Sequence, residues 1–260
     1  MTGRASGRRL ALLLEYDGRR YGGSQVQKNA PSIQAELETA LHKLTGERVR
    51  IAFAGRTDAG AHARGQVAAF TTGSALKIEV FVSGLNAWLP DDIAVRRAAQ
   101  APPGFDPRRH AGSRSYRYTI YNAPVRSPLW RARAWHVAEP LDAAAMQASS
   151  ADLLGEHDFA AFSRREGVST VRSVRLCEVA SRAPLVWLEM EANAFLRHQV
   201  RRTVGALVQV GRGRLRRSEF RRLLRGREPA SAGPVAPPHG LCLLRVSYPG
   251  LDLFGPDALL

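Results

Sequence analysis

Lysine is close to absent from this 260-residue chain: only Lys28, Lys43 and Lys77 carry an ammonium group, although Lys and Arg together number 38. Cysteine is as scarce, with Cys177 and Cys242 alone and no Cys-x-x-Cys pair. That excludes a disulfide framework and a cysteine-rich zinc site, and it suits a reducing compartment. No apolar run approaches the roughly 20 residues of a membrane span. Leu10–Leu14 is too short for the apolar part of a secretory leader and runs at once into Glu15 and Asp17. The expectation is a soluble, cytoplasmic protein with no membrane partner. A Gly-x-x-x-x-Gly-Lys phosphate loop is missing, and the short Gly211-Arg212-Gly213 is a poor substitute, which argues against an NTPase. Acidic residues are the minority sign: 23 Asp and Glu against 38 Lys and Arg leave a formal charge of +15 and a pI near 11.1. A field of that sign favours RNA, DNA or anionic membrane. Because nearly all of it is arginine, bidentate phosphate contacts and stacking come with it.

What is present is a folded composition, 45% apolar with 15 Pro and 23 Gly. Arg9–Tyr16 reads as a strand. Ser32 is placed to cap a helix carrying Ile33, Leu37, Leu41 and Leu44 on one face, and Gly46 ends it. Strands at Val49–Phe53 and Gln66–Phe70, a helix over Ile78–Trp88 and a strand at Ile93–Ala98 complete the order βαββαβ, the ferredoxin-like signature. Gln100–Pro107, with Pro102-Pro103-Gly104 inside it, is the linker of the middle of the chain. Beyond it come strands at Ser115–Asn122 and Arg133–Val137, a helix from Asp142 to Leu154, strands at Thr170–Ala180 and Leu185–Ala192, a helix near Phe195–Val210 and a strand at Leu241–Tyr248. From Arg133 onward the order is again βαββαβ. The expected fold class is α+β: two ferredoxin-like units, 1–105 and 106–260, whose mostly antiparallel sheets join into one platform with helices on one face. The other face is expected to stay open to a polyanion.

The chain is organised around Ala54-Gly55-Arg56-Thr57-Asp58-Ala59-Gly60-Ala61-His62. Gly55, Gly60 and Gly65 permit a tight, shaped backbone, and a cation, a hydroxyl and a carboxylate stand between them on a connection held by two strands. The plain alternative is a polar hairpin connection whose Asp caps its own backbone. Arg212–Arg227 is dense in arginine, with Leu215, Phe220, Leu223 and Leu224 at helical spacing beneath, and phosphate contact is expected of it in preference to a merely solvated face. A non-catalytic RNA-binding protein would share the charge and the fold. It would have no use for Asp58, since a carboxylate in a cationic groove repels phosphate. An aspartic hydrolase needs a second carboxylate loop, and none is found.

Several segments together resemble one family. Glu15-Tyr16-Asp17-Gly18, the loop with Gly65-Gln66-Val67, and Leu85-Asn86 with Leu89-Pro90 and Ile93-Ala94-Val95 are similar to the tRNA pseudouridine synthase A family. Ser115-Tyr116-Arg117-Tyr118, Gly155-Glu156-His157-Asp158-Phe159, Asn193-Ala194-Phe195-Leu196-Arg197-His198-Gln199-Val200-Arg201 and Gly240-Leu241-Cys242-Leu243 continue the resemblance in the same order over nearly the whole chain. Two positions depart from the family pattern: Ser24 stands where Trp is usual, and Gln199 where Met is usual.

The resemblance implies isomerisation of uridine to pseudouridine at positions 38, 39 and 40 of the tRNA anticodon stem-loop, with no cofactor and no metal. Asp58 matches the essential aspartate, which can attack C1′, attack the base or assist elimination at the sugar. Tyr116 matches the residue that lies against the uracil and takes part in removing the C5 proton. Arg201 matches the arginine that pairs with the aspartate, and Arg56 the one that assists extrusion of the nucleotide. Gln66, Phe195 and His198, with Tyr116 and Arg56, are the expected substrate contacts. His62 is read as a loop-packing residue. The first unit then carries the catalytic loop, and the second completes the active site and the tRNA-binding surface. A homodimer is expected, because one compact chain has a radius of gyration of only about 18 Å, short for recognition of a whole tRNA.

Overall fold

Strand β1 (Arg8–Tyr16) carries an unbroken aliphatic run at Leu10–Leu14, and that run is covered on both faces, with all five residues buried. In the computed structural model, which describes residues 7–164, 167, 169–226 and 228–254, the chain divides into two compact units. One holds the residues up to Gly112 together with those from Leu243 onward, and the other is Ser113–Cys242.

In the first unit β1 lies between β3 (His62–Thr72) and β4 (Ile93–Gln100), antiparallel to both, and β2 (Ala52–Phe53) pairs with β3. Helix α1 (Ile33–Thr45) is capped as its sequence requires. Ser32 accepts from the Ala35 amide at 3.2 Å, and Gly46 closes the helix in the left-handed region at φ 74°. Helix α2 (Ile78–Trp88) packs on α1 and β4, and Asn86 ties it to the sheet by exchanging hydrogen bonds with both backbone groups of Val95 at 2.8 and 2.9 Å. The alternation of β1 decides what each face buries. Leu10, paired with Phe70, belongs to the face where Phe70 meets Phe81 of α2 at 5.9 Å. Ala11, paired with Ala69, belongs to the other. There the expected open face is not found: Phe105, Tyr248, Leu251, Leu253 and Phe254 pack on Ala11 and Ala69, whose small side chains leave room for them.

The second unit is built on β5 (Ser113–Asn122), which pairs antiparallel with β9 (Leu185–Ala192). β9 pairs in turn with β8 (Val171–Arg182), and β8 with β7 (Gly155–Asp158). Strand β9 alternates strictly, burying Val186, Leu188, Met190 and Ala192. Helix α3 (Ala143–Ser150) packs on α4 (Gln199–Gly211) and β8. Helix α5 (Arg217–Arg225) is anchored by Phe220, fully buried against Phe162, which meets Phe159 in turn.

The α+β class and mostly antiparallel strand pairing are as read, and several bounds move. The expected strand Val49–Phe53 shrinks to two residues, while Gln66–Phe70 lengthens to eleven because β1 pairs along nearly all of it. The second unit's opening strand is β5; the stretch at Arg133–Val137 supplies only the three-residue β6 (Trp135–Val137), parallel to β5. Strand β7 is new: its polar sequence is extended because β8 pairs with it. The last strand, β10 (Leu241–Ser247), returns to the free edge of β3 in the first unit from Leu243 onward. Among the described residues no helix is long and apolar enough to cross a membrane.

Candidate active site

The loop between β2 and β3 is fixed residue by residue. Ala54 donates to Val67 O at 2.8 Å, continuing the strand pairing past the end of β2. The Gln66 amide donates to Gly55 O at 2.9 Å and to the Tyr16 hydroxyl at 3.4 Å. Tyr16 shares a buried hydrogen bond of 2.9 Å with the Thr57 hydroxyl. The peptide of Thr57 is held on both sides by one residue: its N–H donates to the Ser24 hydroxyl at 3.0 Å, and its carbonyl accepts from the Ser24 N–H at 3.3 Å. Ser24 is fully buried, and its carbonyl accepts from Gln34 in the first turn of α1 at 3.0 Å. Gly23 makes this approach possible. Its φ is 118°, and a Cβ there would lie 2.7 Å from Thr57 O. Beyond Thr57, Ala61 N donates to Asp58 O at 3.1 Å and Gly60 N to Tyr21 O at 3.3 Å.

Asp58 is thus a half-buried carboxylate on a backbone pinned before and after it, and the Arg56 side chain is exposed. Gln66, expected to touch substrate, is fully buried with its amide engaged inside the loop, and it acts as a brace. His62 packs as read, its Nδ1 accepting from Gly18 N at 3.3 Å beside Asp17.

In the second unit Tyr116 sits on β5 opposite Met190, almost buried, with the Phe195 ring edge-on at 5.1 Å and 86°. The bend that brings Phe195 to it ends at His198, a non-glycine residue at φ 63°, immediately before α4. Such a conformation costs of order 1–3 kcal/mol and persists only where its surroundings impose it. Gln199 helps to do so: its side-chain oxygen accepts from Leu196 N at 2.9 Å.

Arg201, on the first turn of α4, is clamped by a segment that reads in sequence only as a proline-rich loop. Its Nε donates to Ala236 O at 2.7 Å, and Ala236 N donates back to Arg201 O at 3.1 Å. Arg202 donates to Ala230 O at 3.1 Å and Gly233 O at 2.8 Å, and the Tyr118 hydroxyl to Pro237 O at 2.7 Å. The loop can come this close because residue 205 is glycine; a Cβ there would lie 2.0 Å from Pro234 O. The density of Pro229, Pro234, Pro237 and Pro238 was the available signal, since proline limits the freedom a loop must give up.

Glu139 takes Arg212 at 3.4 Å and Arg214 at 2.6 Å, Asp152 takes Arg217 at 2.8 Å and Arg221 at 2.9 Å, and Glu219 takes Arg216 at 3.2 Å and Arg222 at 3.7 Å. Six arginines of the run are thus ion-paired, to the distant Glu139 and Asp152 and to Glu219 within the run itself; Arg227 lies outside the described residues. Among the described residues no group of three His, Cys, Asp or Glu is placed to hold a metal ion.

A family model described as tRNA pseudouridine synthase matches residues 13–108 and 150–249. The chain belongs to that family. Relatives named tRNA pseudouridine synthase A agree: that of Pelobacter propionicus is 49% identical over 93% of this chain and all of its own length. The Geobacter sulfurreducens protein is 46% identical over 93% of this chain and all of its own, and the Myxococcus xanthus protein 47% over 92% of each. Against that background the two departures from the family pattern acquire a structural meaning. Both fall on fully buried positions, and at both the replacement residue bonds to backbone, Ser24 to Thr57 and Gln199 to Leu196.

Ser24→Ala leaves the buried Thr57 N–H without its acceptor. It is expected to cost about 1–3 kcal/mol, read as a lower denaturation midpoint, with Ser24→Thr keeping most of the stability; an unchanged midpoint in Ser24→Ala would remove the clip. Arg217, followed by Arg221, holds the Asp152 carboxyl down at about 2, below its ordinary 3.8. A depressed folded value stabilises above the unfolded value and is lost as pH falls through the folded one. Asp152→Asn is therefore expected to lower Tm at pH 7, and the gap from wild type to close between about pH 4 and pH 2. A gap that persisted undiminished at pH 2 would show that the loss does not come from the ionised pair.

Proposed function

We propose that the protein isomerises uridine to pseudouridine at positions 38, 39 and 40 of the anticodon stem-loop of tRNA, in the cytoplasm, with Asp58 as the reacting carboxylate. The family membership supports the reaction. The observation that carries the assignment of Asp58 is the pinning of its loop: a half-buried carboxylate whose backbone neighbours are fixed on both sides is preorganised for a reaction in which geometry is most of the catalysis.

The reaction breaks the C1′–N1 bond, turns the uracil and forms C1′–C5. The proton leaving C5 is balanced by one gained at N1, so no oxidant, reductant or cofactor enters. Asp58 attacks C1′ or the base, or assists elimination at the sugar; all three require it ionised. Arg201, steadied by Ala236 O, is assigned the task of holding that charge and its orientation. Tyr116, its ring steadied by Phe195, is assigned to the uracil face and its hydroxyl to the C5 proton. Arg56, exposed on the loop, is assigned to the phosphate side of the extruded nucleotide. His198, at the bend before α4, is assigned a contact to RNA.

With undermodified tRNA and pseudouridine mapped nucleotide by nucleotide, Asp58→Asn is expected to lower turnover by at least ~10³-fold while tRNA affinity stays within a few-fold. Tyr116→Phe is expected to lose about 10²-fold or more in rate with binding nearly intact, since the ring remains. Turnover close to wild type in the first variant would sink the assignment of Asp58, and in the second that of the hydroxyl.

A two-fold dimer is part of the same reading, since a single chain of about 18 Å radius of gyration is short for the span from anticodon arm to elbow. Light scattering at low micromolar concentration is expected to give twice the chain mass of 28.5 kDa. A mass near one chain, with activity kept on full-length tRNA, would rule the dimer out.

A further inference from the structure

One connection of the second unit carries three guanidiniums that have no carboxylate partner among the described residues. The connection 123–134 between β5 and β6 holds Arg126, Arg131 and Arg133, all exposed, and none has a hydrogen bond or ion pair to its side chain among the described residues. Their isolation follows from the sequence, because no Asp or Glu occurs between Ser113 and Val137, and the first acid beyond, Glu139, is taken by Arg212 and Arg214. The same connection carries the two most exposed large apolar side chains of the described residues, Leu129 at 90% and Val125 at 74%.

This is a shaped loop. Trp130 N donates to Ser127 O at 3.2 Å, and Trp130 O accepts from Arg133 N and Ala134 N, both at 3.0 Å. At its base a His136 ring nitrogen meets Ala123 O at 2.8 Å, and Asn122 donates to Val137 O and Glu139 O at 2.8 and 2.7 Å. Its turns are therefore fixed while its charged and apolar side chains point into solvent.

We propose that this loop is a docking surface for the sugar-phosphate backbone of tRNA, outside the nucleotide that reacts. The proposal rests on the reading that tRNA is the substrate. Three guanidiniums within eight residues, with no acid to compete for them, match a polyanion and repel a basic partner. The apolar tips between them suit the ribose and base faces that lie between phosphates in unpaired RNA.

The test is the salt dependence of binding to one unmodified tRNA transcript. Arg126→Gln/Arg131→Gln/Arg133→Gln is expected to lower the slope of log affinity against log salt by about 2–3 units, roughly one per lost phosphate contact. The matching triple lysine variant is expected to keep the wild-type slope, because the charge and not the shape of the loop sets it. Arg217→Gln/Arg221→Gln/Arg222→Gln, on the ion-paired helix, is expected to change the slope by less than one unit. An unchanged slope in the first variant, with wild type binding and converting the transcript, overturns the surface and leaves the proposed function standing. Failure of wild type to bind or convert the transcript overturns the proposed function, and the surface with it. Leu129→Ser is expected to leave the solution mass unchanged; a halved mass would make the loop a self-association interface and overturn its assignment to RNA.

Discussion

The two hydrogen bonds between Ser24 and the peptide of Thr57 are the constraint on which the position of Asp58 depends. A loop between two strands has, by default, the freedom of its own dihedral angles. Here the residue before Asp58 is tied to a segment that is itself tied to the first turn of α1. The helix is held in turn by its Ser32 cap and its aliphatic face. Position thus passes from the core through α1 and Ser24 to the carboxylate by hydrogen bonds in a buried, low-dielectric place, where an unmade bond costs more than in water.

The second unit solves the same problem with different means. Arg201 and Arg202 are steadied by the carbonyls of Ala230, Gly233 and Ala236, and the loop that offers them is stiffened by proline and held at its far end by Tyr118. Burial weakens the hold of Arg202 on its proton, with the neighbouring cations Arg164 and Arg201 adding to it. Carbonyl dipoles stabilise a guanidinium without neutralising it.

What the sequence made legible was whatever is decided locally. Helix α1 was readable almost to the residue because a capping serine, a terminal glycine and an apolar face lie in its own segment, and α2 because its apolar residues Phe81 and Leu85 recur at helical spacing. The rigidity of the Asp58 loop was readable from its glycines. Strand β7 was not, because Gly155-Glu156-His157-Asp158 has no strand character until β8 pairs with it. The clamp on Arg201 was hidden for another reason: its partners are backbone carbonyls, and any residue type supplies those. The ion pairs of the arginine run were not readable because a sequence window shows the cations and not the acids that fold back onto them from positions 139 and 152. Ser24 looked like the loss of an aromatic anchor, and in the fold it is a hydrogen-bonded joint.

The path of the chain between the units has a consequence for synthesis. Residues 113–242 are contiguous, whereas the first unit is closed by β10 and by Tyr248 to Phe254 on Ala11 and Ala69. On a ribosome adding about 5–20 residues per second, the first unit waits on the order of 6–26 s for its last strand. Throughout that interval the outer edge of β3 is paired only where β2 reaches it, and the alanine face lacks the cover of Tyr248, Leu251, Leu253 and Phe254. A bare edge beside an apolar face is the combination that invites strand addition from another chain. The nascent protein is therefore most vulnerable to misassembly when its amino-terminal half has already been made and its carboxy-terminal tenth has not.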